Sequence, residues 1–237
     1  MPKLLSMCPS GIRPDRIQEM LSSFDKTKSE GTDIAIYVSE TDPKLEEYKQ
    51  VLKDRNLIIG KKLHIVNVFN YFSCELFPDY QYYQTIDDDH IYHTPGWDKI
   101  LINDIETKGN GWGIACGKDL IHVGKEWEQP DFFPSAQIIS ANIVKALGYY
   151  CTPLIEHVCC DLFFRDIANG IGKFFKNPDV IIEHKHWCGG KVACDDQYRF
   201  STGQKQMEKD TLAYQLWCSR DRNNDIRKIL NACSSPN

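Results

Sequence analysis

The sequence lacks any apolar run of the roughly 20 residues that a membrane-spanning helix requires. Its N-terminus carries too short an apolar stretch for a secretory signal peptide, and we expect a first strand there instead. A basic excess is also lacking, because 28 Lys and Arg face 33 Asp and Glu and give a net charge of −5. This charge argues against a broadly basic nucleic-acid-binding surface. Together these absences favour a cytoplasmic globular protein.

No Cys-x-x-Cys pair occurs although the chain has ten cysteines, so the spacing gives little support for a structural zinc site. Without a secretory signal, disulfides are not expected. Cys159 and Cys160 are adjacent within an apolar segment, which is typical of buried thiols. A metal-binding cluster of Cys151, Cys188 and Cys194 is the alternative.

Strand-like and helix-like segments alternate in the first half of the sequence, which predicts an α/β fold with crossover helices. Residues 33–38 form a nearly continuous apolar run rich in β-branched residues, as in a parallel strand that is covered on both faces. Helices are predicted to begin at Pro14 and Pro43, because proline suits the first helical turn. The pattern also allows a helix over residues 66–77, and Thr94 can cap another helix.

The second half is less regular. A helix is predicted over residues 157–168, and a buried strand over residues 180–182. Because no internal repeat or low-complexity linker occurs, we expect residues 1–203 to form one Rossmann-like domain, a mostly parallel mixed sheet flanked by helices. Residues 204–237 are predicted to be a C-terminal helical extension, broken near Asn223 and packed on the same domain.

Three adjacent carboxylates, Asp87, Asp88 and Asp89, follow a β-rich stretch at residues 80–84. Carboxylates at the end of a buried strand repel one another unless a cation or basic group compensates, and hard oxygen ligands suit Mg²⁺ or Mn²⁺. Alternation along a strand would place Asp87 and Asp89 on one side and Asp88 on the other. We therefore expect Asp88 to matter least for a cation. The alternative is a solvated acidic turn.

Other polar side chains also follow predicted strands. Ligands in open α/β sheets bind outside the carboxyl ends of the strands, where the loops converge. Arg13 follows the first predicted strand, Asp42 follows the second, and His184 and His186 follow the last long strand. One metal ion could therefore be bound by Asp89 together with His184 or His186. The alternative for the two histidines is a solvated strand end.

Asp161 is the candidate general base for a hydroxyl substrate. The predicted helix places His157 and Asp161 four residues apart on one face, a spacing that lets the histidine orient or tune the carboxylate. Asp195 and Asp196, beyond a Gly-Gly turn, are second choices for this base. The structural alternative is that Asp161 only caps or pairs locally.

Several segments resemble, in the same order, those of small GT-A-type glycosyltransferases of the broad bacterial and viral family-2-like group. These enzymes carry an acidic DxD region followed by a Thr-Pro-Gly-Trp-Asp helix start. The resembling segments are Gly11–Pro14, Glu40–Pro43, Asp87–Asp98, His157 with Asp161, and Ile181–His186. The ordered set is more specific than an isolated DxD. The resemblance covers about residues 3–198, and the sequence departs most from the family pattern over residues 61–77.

The resemblance implies a GT-A-like fold and transfer of a sugar from a nucleoside diphosphate sugar, with a UDP-sugar favoured, to a hydroxyl group. The residues implied to contact the nucleotide sugar are Arg13, Asp42, Asp87 and Asp88. The residues implied to hold the Mn²⁺ or Mg²⁺ cofactor are Asp89 and His184 or His186. Asp161 is implied to activate the acceptor hydroxyl if the reaction inverts the anomeric centre.

The acceptor is less defined by the sequence. A glycan is favoured, and the alternatives are a protein side chain or a modified nucleobase in DNA. The negative net charge of the protein makes DNA the less suitable of these acceptors. Trp127 and Trp187 lie in Gly- or Pro-flanked loops and could pack on a sugar ring. Asp196 is a further acceptor-site candidate, and the C-terminal helices could form an acceptor surface or a homodimer contact.

Two other functions use the same residues. The acidic groups and His90, His93, His184 and His186 could form a metal-dependent phosphohydrolase site, although no His-x-His-x-Asp pattern occurs. The chain could also be a non-catalytic module that binds nucleotide sugars or glycans.

Overall fold

A computed structural model describes residues 3–53, 55–121, 134–201 and 203–235 of the chain. The described strands are β1 (Leu4–Ser10), β2 (Thr32–Ser39), β3 (Asn56–Gly60), β4 (Tyr82–Thr85), β5 (His90–Tyr92), β6 (Ile114–Asp119), β7 (Ile138–Ser140) and β8 (Phe174–His184). The described helices are α1 (Pro14–Thr27), α2 (Leu45–Leu52), α3 (Ile65–Asn70), α4 (Trp97–Gly109), α5 (Ala141–Leu147), α6 (Cys160–Gly170), α7 (Asp196–Ser201), α8 (Gln204–Arg220) and α9 (Arg222–Ser234).

One mixed sheet contains all of these strands, in the order β3-β2-β1-β4-β7-β6-β8-β5. Strands β3, β2, β1 and β4 are parallel, as the alternating β and α segments predict. β7 is antiparallel to both β4 and β6, and β5 is antiparallel to β8. The predicted mostly parallel mixed sheet flanked by helices is confirmed.

Helices cover both faces of the sheet because alternate side chains of each buried strand point to opposite sides. Leu4 of β1 packs in a cluster with apolar residues of α1, α2 and α4, whereas the next residue, Leu5, packs with α3, α5 and α6. Trp217 of α8 and Ile229 of α9 are fully buried in this second cluster. The C-terminal helices thus contribute to the main core, while the proposed domain boundary at residue 203 stays a prediction.

Some predicted helices differ in detail from the structure. α2 begins at Leu45 rather than at the predicted Pro43. The helix expected over residues 66–77 consists of α3 followed directly by a π-helix, Tyr71–Leu76. Thr94 does not cap α4, whose N-cap is Gly96. The Thr94 hydroxyl instead accepts a hydrogen bond from the Ile181 amide at 2.8 Å and donates one to the Asp179 carbonyl at 3.1 Å. The hydroxyl therefore joins the start of α4 to β8 rather than to its own helix.

β6 and β8 approach each other closely at Gly117, where the register between them shifts. A methyl group on Gly117 would lie 2.6 Å from Val180 Cγ1 and 2.8 Å from the Val180 carbonyl oxygen. Only glycine leaves room for this approach. It matters for the site because β6 ends at Asp119 and β8 ends at His184.

No helix within the described ranges is both long enough and apolar enough to cross a membrane.

Candidate active site

The strand ends border one large cavity, of about 810 Å³. The loops after β1, β2 and β4 meet there with the ends of β6 and β8 and the start of α6. The predicted site residues that line it are Arg13, Asp42, Asp87, Asp88, Asp89, Asp161, His184 and His186. The structure therefore brings together residues that lie between positions 13 and 186 of the sequence.

The three aspartates after β4 form a turn rather than a strand. The Asp87 amide donates a hydrogen bond to His90 Nδ1 at 2.9 Å, and the His90 amide donates to the Asp87 carbonyl at 3.2 Å. These two bonds close the chain on itself, so the strand alternation used to separate Asp88 from its neighbours is wrong here. All three aspartates line the cavity.

Asp88 is buried and paired with the loop after β1. Arg13 donates to its Oδ1 at 3.2 Å and the Ser10 hydroxyl donates to its Oδ2 at 2.6 Å. Burial, together with the nearby charge of Asp89, raises the pKa of Asp88. Arg13 also donates two hydrogen bonds to Asp195, at 2.9 and 2.6 Å. Arg13 therefore ties the first loop to both the acidic turn and the segment before α7.

Asp89 is surrounded by donors from distant parts of the chain. The Tyr198 hydroxyl donates to its Oδ2 at 2.5 Å, and Arg16 Nη1 lies 3.8 Å from the same oxygen. His184 Nε2 lies 3.2 Å from Oδ1. Burial alone would raise the pKa of Asp89, but the interaction with His184 holds it well below its ordinary value. Asp89 is therefore an anion with two cationic partners, Arg16 and His184, and one neutral donor.

His184 lies between two carboxylates. Its Nδ1 is 3.6 Å from Asp119 Oδ2, while its Nε2 faces Asp89. Burial would lower the pKa of His184, but the two carboxylates raise it well above its ordinary value. The imidazolium form therefore balances negative charge where a metal ion would otherwise do so.

The donor set of this region fits a divalent cation. Ligand atoms of Asp87, His90 and His184 lie within 4.8 Å of one another. Buried His90 Nε2 makes no hydrogen bond to the described residues, and Asp89 Oδ1 faces His184 Nε2 at 3.2 Å. A mixed carboxylate and imidazole set suits Mn²⁺ better than Mg²⁺, which prefers oxygen ligands. His184 belongs both to this group and to the predicted metal ligands, which were Asp89 with His184 or His186. His90 was predicted as a ligand only in the phosphohydrolase alternative.

His186, the other predicted metal ligand, is not part of this group but lies next to His184. Its ring centroid is 5.0 Å from that of His184 and 4.6 Å from that of Tyr198. Burial, together with the charge of His184, lowers the pKa of His186. The side chain is therefore a neutral imidazole at the cavity edge, and its role as a metal ligand stays a prediction.

The predicted helix pairing of His157 with Asp161 is wrong, because α6 begins at Cys160 and His157 lies in the preceding segment. Cys159, at the N-cap, has a φ of +70°, which breaks the helical path between the two residues. Asp161 lies in the first turn, where its Oδ1 accepts a hydrogen bond from the Leu162 amide at 2.9 Å. Both His157 and Asp161 nevertheless line the cavity.

Burial favours the uncharged form of both side chains. It raises the pKa of Asp161, with a further contribution from the charge of Asp87, and it lowers the pKa of His157. A carboxyl group with a raised pKa accepts a proton more readily than an ordinary one. Asp161 thus has the environment of a general base, although its catalytic role stays a prediction.

Asp42 shapes the loop that follows β1. Its Oδ2 accepts a hydrogen bond from the Ile12 amide at 2.9 Å, and its Oδ1 accepts one from the Lys44 amide at 2.8 Å. Ile12 has a φ of +56°, a region that β-branched residues rarely adopt. Asp42 therefore helps to hold a strained backbone conformation at the cavity wall, and its contact with a nucleotide base stays a prediction.

The two predicted acceptor-site residues that the structure describes, Trp187 and Asp196, are exposed at the surface. Trp187 is 38% exposed, and Asp196 is exposed and pairs with Arg199 at 2.8 Å. Neither belongs to the described lining of the cavity. Trp127 falls outside the described residues. All nine cysteines whose side chains are described are free thiols.

Sequence reasoning missed Asp119, Arg16 and the tyrosine of α7. Asp119 could have been found, because the apolar residues 114–116 are typical of a strand, and the observed strand ends three residues later at this carboxylate. Tyr198 and Arg16 gave no signal, since their contact with Asp89 depends on the path of the chain after β8.

A mixed, mostly parallel sheet flanked by helices, with a large cavity at its strand ends, is the architecture expected of a GT-A-type fold. No family model matches the sequence, and no curated protein sequence matches it. Solved structures with the same fold do match. Residues 1–349 of S. aureus TarS superpose with a TM-score of 0.60 at 12% identity, over 97% of this chain and 71% of that one.

Two further structures carry ligands. The same TarS fragment in complex with UDP-GlcNAc gives a TM-score of 0.59 at 11% identity, over 97% of this chain and 79% of that one. The mannosyltransferase PcManGT from Pyrobaculum calidifontis, in complex with GDP-Man and Mn²⁺, gives 0.57 at 9% identity, over 98% and 74%. At these identities the similarity establishes the GT-A fold of this chain.

Proposed function

We propose that this protein is a metal-dependent glycosyltransferase that moves a sugar from a nucleoside diphosphate sugar to a hydroxyl acceptor. One observation carries the proposal. The acidic turn at residues 87–89 and His184 lie in the same cavity as Asp161, and this cavity lies at the strand ends of a GT-A fold. A cation can stabilise a departing diphosphate, and a separate carboxyl group can accept the proton of the acceptor hydroxyl.

Asp89 and His184 would hold the cation, with Asp87 and His90 within reach and His186 at the edge. A bound Mn²⁺ or Mg²⁺ would supply positive charge against the two phosphates of the departing nucleoside diphosphate. His184 must lose its proton before its ring can ligate a metal. The buried Asp89 Oδ1 supports this assignment, because it already faces His184 Nε2 at 3.2 Å and the two ligand atoms could bind one cation.

Asp161 acts on the acceptor in this proposal. As the acceptor oxygen bonds to the anomeric carbon, its proton passes to the Asp161 carboxylate. The electron pair of the breaking bond leaves with the diphosphate. The raised pKa of Asp161 supports this role, since the carboxylate accepts the proton more readily.

Arg13, Asp42 and Asp88 contribute to the nucleotide end of the cavity. TarS has been solved with UDP and with UDP-GlcNAc, and PcManGT with GDP-Man. These ligands support a nucleoside diphosphate sugar as donor, with a UDP-sugar as the first choice. A glycan hydroxyl is the preferred acceptor, and a cytoplasmic location and a homodimer remain predictions.

A donor panel with Mn²⁺ tests the proposal. Thermal shift and calorimetry would compare UDP-glucose, UDP-GlcNAc and GDP-mannose, because a ligand raises the apparent stability according to its affinity. Release of the nucleoside diphosphate would then be measured with and without methyl glycosides as acceptors. Acceptor-dependent release supports transfer. Phosphate cleavage without an acceptor supports a phosphohydrolase, and binding without turnover supports a binding module.

A further inference from the structure

Asp210 of α8 holds the segment that precedes α6. Its Oδ1 accepts a hydrogen bond from the Glu156 amide at 2.9 Å. Its Oδ2 accepts hydrogen bonds from the amides of His157 and Val158, at 2.9 and 2.7 Å. The carboxylate is fully buried. Three successive backbone donors are thus satisfied by one side chain that lies more than 50 positions further along the chain.

These bonds anchor the backbone immediately before α6. The start of a helix is usually fixed by a Ser, Thr, Asn or Asp at the N-cap, whose side chain accepts from the first amides. The N-cap of α6 is Cys159, which makes no side-chain capping bond and has a φ of +70°. The hydrogen bonds from residues 156–158 to Asp210 therefore help to fix the position at which α6 starts.

The held segment borders the cavity on the side of the candidate base. His157, Val158 and Asp161 all line the cavity. Asp210 itself does not belong to the described lining. A displacement of the α6 start would move the Asp161 carboxylate relative to the acceptor, and a misplacement of about 1 Å can cost a hundredfold in rate.

We propose that Asp210 is a positioning residue for sugar transfer, through which the C-terminal helix α8 sets the place of Asp161. The inference rests on the proposed function. It assigns to Asp210 an effect on turnover rather than on donor binding, because the donor end of the cavity is built by Arg13 and the acidic turn.

A second buried carboxylate provides a matched control. Asp225 of α9 also joins the C-terminal helices to the main core, through the Tyr149 hydroxyl and Trp217 Nε1, the latter at 2.9 Å. It does not line the cavity and does not bond to residues 156–158 within the described contacts. Asp225→Asn therefore removes a comparable buried charge without touching the α6 start.

The experiment compares Asp210→Asn, Asp210→Ala and Asp225→Asn with the wild-type chain. Donor affinity would be measured by calorimetry with UDP and Mn²⁺. Turnover would be measured as nucleoside diphosphate release with the donor and methyl glycoside that are active in the panel. Hydrogen exchange of the 156–158 amides would be followed by mass spectrometry.

We expect kcat to fall about 10- to 100-fold in the Asp210 variants, with the larger loss in Asp210→Ala. Asparagine keeps one acceptor oxygen but turns its NH₂ group toward a backbone donor, so its loss is intermediate. Exchange at residues 156–158 should rise in both variants, while the Kd for UDP stays within about twofold of wild type. Asp225→Asn should keep kcat and the protection of this segment.

Equal losses of kcat in Asp210→Asn and Asp225→Asn would overturn the proposal, as would unchanged exchange at residues 156–158. If Asp210→Ala fails to fold, Asp210→Asn and the exchange measurement still decide. Failure of the proposed function looks different, because the wild-type chain would then show no acceptor-dependent release at all. That result would overturn both proposals.

Discussion

Replacement of Asp161 by asparagine should remove most sugar transfer while it leaves the fold intact. Asp161 Oδ1 accepts a hydrogen bond from the Leu162 amide at 2.9 Å, and the asparagine carbonyl can keep this bond. The variant loses a favourable charge at a helix N-terminus, which costs about 0.3–1 kcal/mol. The burial of a neutral rather than a charged group offsets part of that cost. The free energy of unfolding should therefore change by less than about 1 kcal/mol.

The kinetic effect should be much larger than the effect on stability. General base catalysis contributes about 10²- to 10⁴-fold, or roughly 3–5.5 kcal/mol of activation free energy. Acceptor-dependent release of the nucleoside diphosphate measures kcat, and calorimetry with UDP and Mn²⁺ measures donor binding, which should not change. Asp166→Asn is a suitable control, since Asp166 lies on the same helix, pairs with Arg165 at 2.8 Å and is not in the described cavity lining.

The pH dependence gives an independent check on the same residue. Burial raises the pKa of Asp161, and only the deprotonated carboxylate can accept the proton of the acceptor. kcat should therefore fall as the pH drops through a pKa above the ordinary aspartate value near 3.9. This acid limb should be absent in Asp161→Asn. An unchanged kcat, or an unchanged acid limb, would refute the assignment.

Three further predictions concern the metal region and the sheet. Asp89→Asn should abolish Mn²⁺-dependent donor binding, and a calorimetric titration that matches wild type would contradict the metal assignment. Because the His184 ring must lose its proton to ligate a metal, Mn²⁺ affinity should weaken by up to about tenfold for each unit that the pH falls, and an affinity that is the same at all pH values in titrations would contradict this ligand. Gly117→Ala should lower the free energy of unfolding by about 1–3 kcal/mol in denaturant unfolding, because the new methyl group meets Val180, and a neutral effect would show that β6 and β8 can separate.

The fold was predictable where local patterns decide it. The β-branched run of β2, the proline that opens α1 and the proline shortly before α2 indicated the alternation of strands and helices, and the sheet followed from that alternation. Element ends were less predictable when a distant side chain decides them. The apolar periodicity extends back to residue 157, but Asp210 takes the amides of residues 156–158 and α6 starts only at Cys160.

The site was predictable to the extent that strand ends converge. This rule placed Asp89 near His184, and the structure joins them at 3.2 Å because β5 pairs with β8 in a register that aligns His90 with His184. The rule could not predict the contact of Tyr198 with Asp89, because Tyr198 lies in the helix α7 that follows β8. It also could not predict that residues 87–90 form a turn, in which the alternation of side chains along a strand does not apply to Asp88. Contacts between residues more than 100 positions apart carry no local signature.

The hydrogen bonds between Arg13 and Asp195 determine when the site can form during synthesis of the chain. They join residues 182 positions apart, and Tyr198 reaches Asp89 across 109 positions. A ribosome releases the N-terminal part first, so β1, β2 and the acidic turn emerge well before their partners. A half-synthesised chain would therefore hold a cluster of carboxylates without Asp195, Tyr198 or His184 to organise it. Donor binding should therefore require a chain that has been synthesised beyond Tyr198, and chains stalled before that residue should not retain the donor.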